Sequence, residues 1–255
     1  MQPDPAASFR WYSGKDNQPV NMLLNPIQSW IEKLDKTFIQ SGHYKMIFEG
    51  LGNTVKITAG ALVIGVLIGL IIAVIKYLAE DSKGMKPLAA LCDVYVNVIR
   101  GIPVTVLLLI FYYLIMVTST NGVLVATITF GINSGAYMAE LIRSGINAVD
   151  RGQMEAGRSL GLSKMQTMRR IILPQAVRYV LPAVGNEFIA LLKETSVAGY
   201  VAVVDLTRAG NLVRNNTHDM FNPLMLIALM YLLMVVLLTK ALGILERRLA
   251  KSDKR

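Results

Sequence analysis

Long apolar runs separated by short polar intervals organise this chain, and within each run the apolar residues are continuous rather than alternating. Runs of this length suit helices crossing roughly 30 Å of hydrocarbon, whereas strands of a membrane barrel alternate at every second position. The pattern predicts five spans, at about 54–78, 94–118, 122–146, 176–194 and 223–245. Residues 88–99 read as a lead-in to the second span, with Arg100-Gly-Ile-Pro103 breaking the helix. A proline at that depth is tolerated when neighbours satisfy the freed carbonyls. The fourth span is the least apolar, because it holds Asn186, Glu187 and Lys193.

Before the spans, residues 26–41 place Ile27, Trp30, Ile31, Leu34 and Phe38 at helical spacing behind Pro26. That predicts an amphipathic helix lying at the membrane interface, with a solvated helix as the alternative. Residues 1–20, with three prolines and a glycine among polar residues, read as a disordered tail. The first apolar run begins only near residue 54, so no cleavable signal peptide is expected.

Composition agrees with an integral membrane protein in one domain. Hydrophobic residues make up 53% of the 255 and charged residues only 17%, too apolar a mix for an ordinary soluble domain. The formal charge of +9 raises nucleic acid as a partner, but the basic residues gather at the ends of apolar runs, which is a topology signal. Lys76, Lys83 and Lys86 follow span one. Arg151, Arg158, Lys164, Arg169 and Arg170 follow span three, and Arg247, Arg248, Lys251, Lys254 and Arg255 end the chain. Residues 118–122 carry no charge, and residues 1–51 balance acids against bases. The predicted amino terminus is therefore outside, and the carboxy terminus and the 150–174 loop are inside. The single cysteine, Cys92, excludes an internal disulfide and reads as a packing residue. His43 and His218 are too far apart to suggest a metal site, and Asn215-Asn-Thr217 matches a glycosylation acceptor by chance.

The loop after span three is unusually ordered for a polar segment. Asp150-x-x-Gln153 and Ser163-x-x-Gln166 each pair an N-cap oxygen with a glutamine three residues on. Gly161 is a left-handed helix terminator, and Pro174 should end the second helix at Leu173. The expectation is helix, glycine turn, helix, projecting from the membrane.

Glu155-Ala156-Gly157, then Gly161, then Ile171-x-Leu173-Pro174 resemble the EAA loop of ABC-importer permeases at every spacing. The one departure is Gly157 in place of the second alanine, a small residue for a small one. Further segments are similar to the polar amino acid branch, which includes histidine, glutamine, arginine and cystine permeases. They are Gly50-Leu-Gly-Asn-Thr54, Arg100-Gly-Ile-Pro103, Asn133-Ser-Gly-Ala-Tyr-Met-Ala-Glu140, Arg151-Gly-Gln153, Leu173-Pro-Gln-Ala176, Gly185-Asn-Glu-Phe188, Leu192-Lys-Glu-Thr-Ser196 and Asp205-Leu-Thr207. The resemblance covers about residues 44–249, and residues 1–43 stand outside it or loosely within it.

It implies an all-α fold with the five-helix core of a type I (MetI-like) importer permease. It also implies a polar amino acid as cargo, two ABC ATPase subunits, a second permease chain and an extracytoplasmic solute-binding protein, in the cytoplasmic membrane of a prokaryote. The ATPases would seat on Glu155, Ala156, Gly157, Arg158, Gly161 and Leu162. Glu155 and Arg158 lie three apart on one helix face and offer opposite charges. The chain has no phosphate-binding Gly-x-x-x-x-Gly-Lys-Ser/Thr loop, so ATP would bind the partner and this chain would hold no cofactor or metal and catalyse nothing itself.

Ionisable groups inside spans usually face a cavity or a partner. Glu187, beside Asn186, either meets a substrate ammonium or bonds another helix or the second permease chain. Asn133, Ser134 and Tyr137 form a polar patch on span three, and Arg100 either snorkels, binds a carbonyl or meets a substrate carboxylate. Glu140 and Arg143, at i,i+3, should pair near the inner surface. Lys193 and Glu194 close the fourth span, in contact with a binding protein or with solvent. An ion-driven secondary transporter is the rival class, but its usual internal repeats are not visible. A membrane-embedded enzyme would need paired His/Glu or a nucleophile motif, and none is present. Within the importer class, cystine or an opine is an alternative cargo.

Overall fold

The computed structural model describes residues 28–252, and among them every regular element is helical. The expected disordered tail over 1–20 lies outside the described residues. Helix α1 covers 28–40, its last turns widened to π geometry over Asp35–Gln40. It docks on the bundle: buried Phe38, backed by Leu34, packs against Ile47, Leu206, Val213 and Ile227. The Trp30 indole N–H donates to Asn222 Oδ1 at 2.8 Å, while Trp30, Ile31 and Ile39 keep exposed faces.

Helix α2 runs Tyr44–Asp81, beginning well before the expected 54. At 1.5 Å per residue it is about 57 Å long, far more than the hydrocarbon thickness, so apolar content marks only its middle. Its first turns are held by tertiary contact instead. Asn53 Nδ2 donates to the Val204 carbonyl at 3.0 Å, Thr54 Oγ1 accepts from Leu206 N at 3.0 Å, and a Cβ on Gly50 would sit 2.7 Å from the Asp205 carbonyl. The segments Gly50–Thr54 and Asp205–Thr207, some 150 residues apart, are thus halves of one junction. They position α9 (Leu206–Thr217), a helix that hydropathy did not announce. Its start is nonetheless legible: the Asp205 carboxylate caps the amides of Thr207 and Arg208 at 2.9 and 3.2 Å, and Leu206, Ala209 and Val213 are buried at helical spacing.

The expected second span 94–118 is two helices. α3 (Lys86–Gly101) and α4 (Val104–Ile115, its last turn π) meet at 106°. Pro103 forces the preceding Ile102 into extended geometry, φ −105° and ψ 130°, which ends α3 as the sequence indicated. The Pro103 carbonyl then accepts from Val106 and Leu107, which starts α4.

Helix α5 (Gly122–Asn147) lies centrally, against α2, α3 and α8. Its approach to α2 is close because both carry a Gly-x-x-x-Gly pair, Gly65/Gly69 and Gly131/Gly135. A Cβ on Gly65 would meet Ser134 Oγ at 2.8 Å, and one on Gly69 would meet Met138 Cβ at 2.6 Å. Next come α6 (Gly152–Ser159) and α7 (Lys164–Thr167), then a π-turn over Met168–Ile172 leading straight into α8 (Leu173–Glu194). The second loop helix therefore does not stop at Leu173. Pro174 lacks an amide to donate, and the widened turn before it absorbs the missing bond, so the chain continues. α8 ends in a 3₁₀ turn at Thr195–Val201, and α10 spans Asn222–Ser252. The central core joins Ile57 and Ala61 of α2, Leu108 of α4, Ala126 and Phe130 of α5, Leu191 of α8, and Ala198 and Val201.

By length and composition, α2, α5 and α10 are able to cross a membrane, and the α3–α4 pair makes a fourth span if counted as one. α8, read above as a span, is too polar to qualify by the same measure, since it carries Arg178, Glu187, Lys193 and Glu194.

Candidate functional site

Two constructions concentrate the polar chemistry: the α6–α7 hairpin and a cleft beside α5. In the hairpin, Ser163 and Gln166 form the expected capping box. Ser163 Oγ accepts from Gln166 N at 3.2 Å and Gln166 Oε1 accepts from Ser163 N at 2.9 Å. The box expected at Asp150/Gln153 does not form. Asp150 Oδ1 takes the Gly152 amide at 2.6 Å, which starts α6 late and leaves Gln153 at its second position, one short of a box. Gln153 instead accepts from Gln175 Nε2 at 3.3 Å.

Gly161 terminates α6 in the left-handed region, φ +81°. The turn closes as a Schellman motif: Leu162 N donates to the Gly157 carbonyl at 3.1 Å and Gly161 N to the Arg158 carbonyl at 3.0 Å. Gly157 is buried, and a Cβ there would lie 2.4 Å from Thr167 Cγ2. Thr167, fully buried, fills the space that an alanine at 157 would need, which explains the departure from Glu-Ala-Ala. Beneath the hairpin, Val149, Met168, Ile172 and Ala176 form a small core with Tyr77 and Met154.

Glu155, Ala156 and Arg158 are exposed, as is Gly161, while Leu162 is half-buried. Leu160, which sequence reading passed over, is 80% exposed at the tip, and Met165 is 52% exposed. A large apolar side chain held out at a rigid polar turn is a ready anchor for a partner pocket. The Lys164 ammonium contacts Asp81 Oδ2 at 2.8 Å and Glu80 Oε2 at 3.0 Å. The hydrogen bond to Asp81 raises its pKa above the ordinary lysine value, aided by Glu80 against partial burial. This contact places the connection after α2 and the hairpin at one end of the bundle.

The cleft, about 280 Å³, is lined by Arg100, Asn133, Tyr137 and Glu194, with Gly101, Ile102, Pro103 and Val104 of the α3–α4 bend. The bend presents Arg100, whose guanidinium lies 5.2 Å from the centre of the Tyr137 ring. Asn133 is buried and Tyr137 half-buried on α5. Glu187 lies seven residues before Glu194 on α8 and accepts from Ser134 Oγ at 3.1 Å. Asn186 is exposed and does not line the cleft. Glu140 and Arg143 pair as expected, Nη2 to Oε2 at 2.6 Å, and Lys76 pairs with Asp93 at 2.5 Å. Glu194 is the member that sequence reading left at the surface; its signal was a charge at the span end, i+7 from Glu187.

Residues 65–251 match the family described as "Binding-protein-dependent transport system inner membrane component". The chain belongs to this family. It is a multi-pass membrane component of a transport system, and not an enzyme. Among relatives of this family, the "Probable glutamine ABC transporter permease protein GlnM" of Bacillus subtilis is 35% identical over 212 residues, 82% of this chain and 96% of its own. The "Arginine transport system permease protein ArtQ" of the same organism is 32% identical over 210 residues, covering 81% and 94%. A crystal structure of an amino acid ABC transporter with histidines superposes with a TM-score of 0.76 at 40% identity, covering 82% of this chain and 96% of that one. An inward-facing MetNI methionine ABC transporter superposes at 0.69 with 21% identity, a likeness of fold.

Proposed function

We propose that this chain is the permease subunit of an ABC importer that carries a polar amino acid, with ATP bound and hydrolysed by a separate ATPase. The observation that carries the cargo class is the cleft. A zwitterionic amino acid presents a carboxylate and an ammonium, and Arg100 and Glu194 offer the two complementary charges in one cleft, with Asn133 and Tyr137 as neutral partners. Glu187, held by Ser134 further along α8, is a second acidic position for a cationic side chain. Relatives whose names cite glutamine and arginine support the same class.

The ATPase seats on the hairpin through Glu155, Ala156, Arg158, Leu160 and Gly161, while Gly157 and Leu162 hold its shape. A second permease chain, identical or similar, covers the exposed side of α8 with Asn186, and a solute-binding protein delivers cargo from outside. The hairpin and the basic carboxy-terminal segment face the cytoplasm, and α1 rests at the outer lipid interface. Closure of the ATPases draws the two hairpins together and turns the cleft outward, a rigid-body switch.

The test is ATP hydrolysis by the reconstituted complex across a panel of amino acids. A polar amino acid should stimulate it, and Arg100→Ala should remove the stimulation while basal hydrolysis persists. Stimulation that is unchanged in Arg100→Ala and Glu194→Gln would remove the cleft from the path.

A further inference from the structure

Lys164 stands outside both the docking residues and the cleft, yet it occupies a mechanically important place. It opens α7, at the helix end where the backbone dipole is positive, and Glu80 and Asp81 close α2, where the dipole is negative. Each charge sits at the end of its own helix that disfavours it. Local helix formation therefore does not account for these residues, and their mutual contact does. The lysine offsets the negative end of α2, and the two acids offset the positive end of α7. The ammonium bridges both carboxylates and lies 5.1 Å from the Tyr77 ring centre.

The side chains are 33%, 63% and 67% exposed, so these pairs add little to the stability of the fold. What they fix is relative position. The hairpin is joined through the chain to α5 before it and α8 after it, and a displacement reaches both covalently. α2 has no such route, since the chain from its end passes through α3 and α4 first. Together with the packing of Tyr77 under the hairpin, the Lys164 contact ties α2 to it. α2 also presses Gly65 and Gly69 against Ser134 and Met138, the stretch of α5 that carries Asn133 and Tyr137.

We propose that Lys164, Glu80 and Asp81 form a clasp that makes the end of α2 move with the hairpin, so that α2, α5 and α8 shift together when the hairpin is displaced. Lys164 is then a positioning residue, outside the seat and cleft residues named above, and its effect on transport passes through α2. The proposal rests on the hairpin being the ATPase seat.

Transport and hydrolysis are measured together in liposomes holding the complete complex, as amino acid carried per ATP hydrolysed. Lys164→Glu should leave ATPase co-purification and hydrolysis in place while this ratio falls roughly three- to fivefold, the scale of two partly exposed ion contacts. The swap combining Lys164→Glu with Glu80→Lys and Asp81→Lys should restore most of it, and Lys164→Arg should keep it. A merely structural role lowers the yield of complex, and transport and hydrolysis in proportion, leaving the ratio at wild type; that result overturns the clasp. A wild-type ratio in Lys164→Glu alongside uncoupling by Gly161→Arg overturns the clasp alone. Wild-type ratios in both variants overturn the docking reading as well.

Discussion

The hairpin and the cleft are built in opposite ways. The turn of the hairpin is set by partners at most ten residues apart: Ser163 with Gln166, Gly157 with Leu162 and Thr167, Gly161 with Arg158. The cleft draws Arg100 from the end of α3, Asn133 and Tyr137 from α5, and Glu194 from the end of α8, nearly a hundred residues in all. One is a local object that needs caps and glycines. The other exists only if α2, α3, α5 and α8 close on each other at the right depth. A substitution that spoils helix packing should therefore erase the cleft and leave the hairpin able to form.

The largest effect expected is at that packing. Gly69→Leu drives a side chain into Met138 Cβ and the Ala139 amide nitrogen, at 2.6 and 2.9 Å from the first added carbon, and should cost ~3 kcal/mol or more. Size-exclusion chromatography in detergent should show loss of the monodisperse protein. Gly52→Ala, with nothing within 4 Å, should elute as wild type, and aggregation of both would break the argument. Next is the cleft: Arg100→Ala or Glu194→Gln in the assembled importer should weaken apparent cargo affinity by about tenfold or more, the size of a lost charged hydrogen bond. Neither should alter co-purification of the ATPase, because the hairpin is separate.

Gly157→Ala comes third. The added methyl meets Thr167, and a loss of about 1–3 kcal/mol follows, visible as a lower melting temperature and weaker ATPase capture. Pairing it with Thr167→Ala should recover most of that loss, and additive losses would sink the contact. The smallest effect is Ser163→Ala, which removes the N-cap of α7 and should cost about 1 kcal/mol. It should slightly weaken ATPase capture and leave cargo affinity alone.

This contrast also decides what could be read in advance. The glycine turn, the Ser163 box and the break at Pro103 were legible because each is dictated by backbone chemistry within a few residues. The capping box at Asp150 failed on a one-residue shift, since its carboxylate prefers the nearer Gly152 amide. Pro174 disfavours helix at the residue before it, which predicts a stop at Leu173, but the π-turn over Met168–Ile172 lets the helix run on. The early start of α2 and the presence of α9 depend on each other, and no local signal announces a junction between Asn53 and Val204. Hydropathy found α10, whose most apolar window is only 6% buried, and α5 equally, whose window is 61% buried. It did not tell the exposed helix from the central one. The paired Gly-x-x-x-Gly spacings of α2 and α5 carried that distinction.

This chain should move amino acids only when an ATPase works on its hairpin. Uptake of labelled amino acid into liposomes holding the complete complex tests it, with ATP and an imposed ion gradient supplied separately. Expected are accumulation with ATP, its loss in Gly161→Arg while Gly161→Asn, which tolerates the left-handed turn, retains it, and none from the gradient alone. Accumulation driven by the gradient in liposomes lacking the ATPase would contradict it.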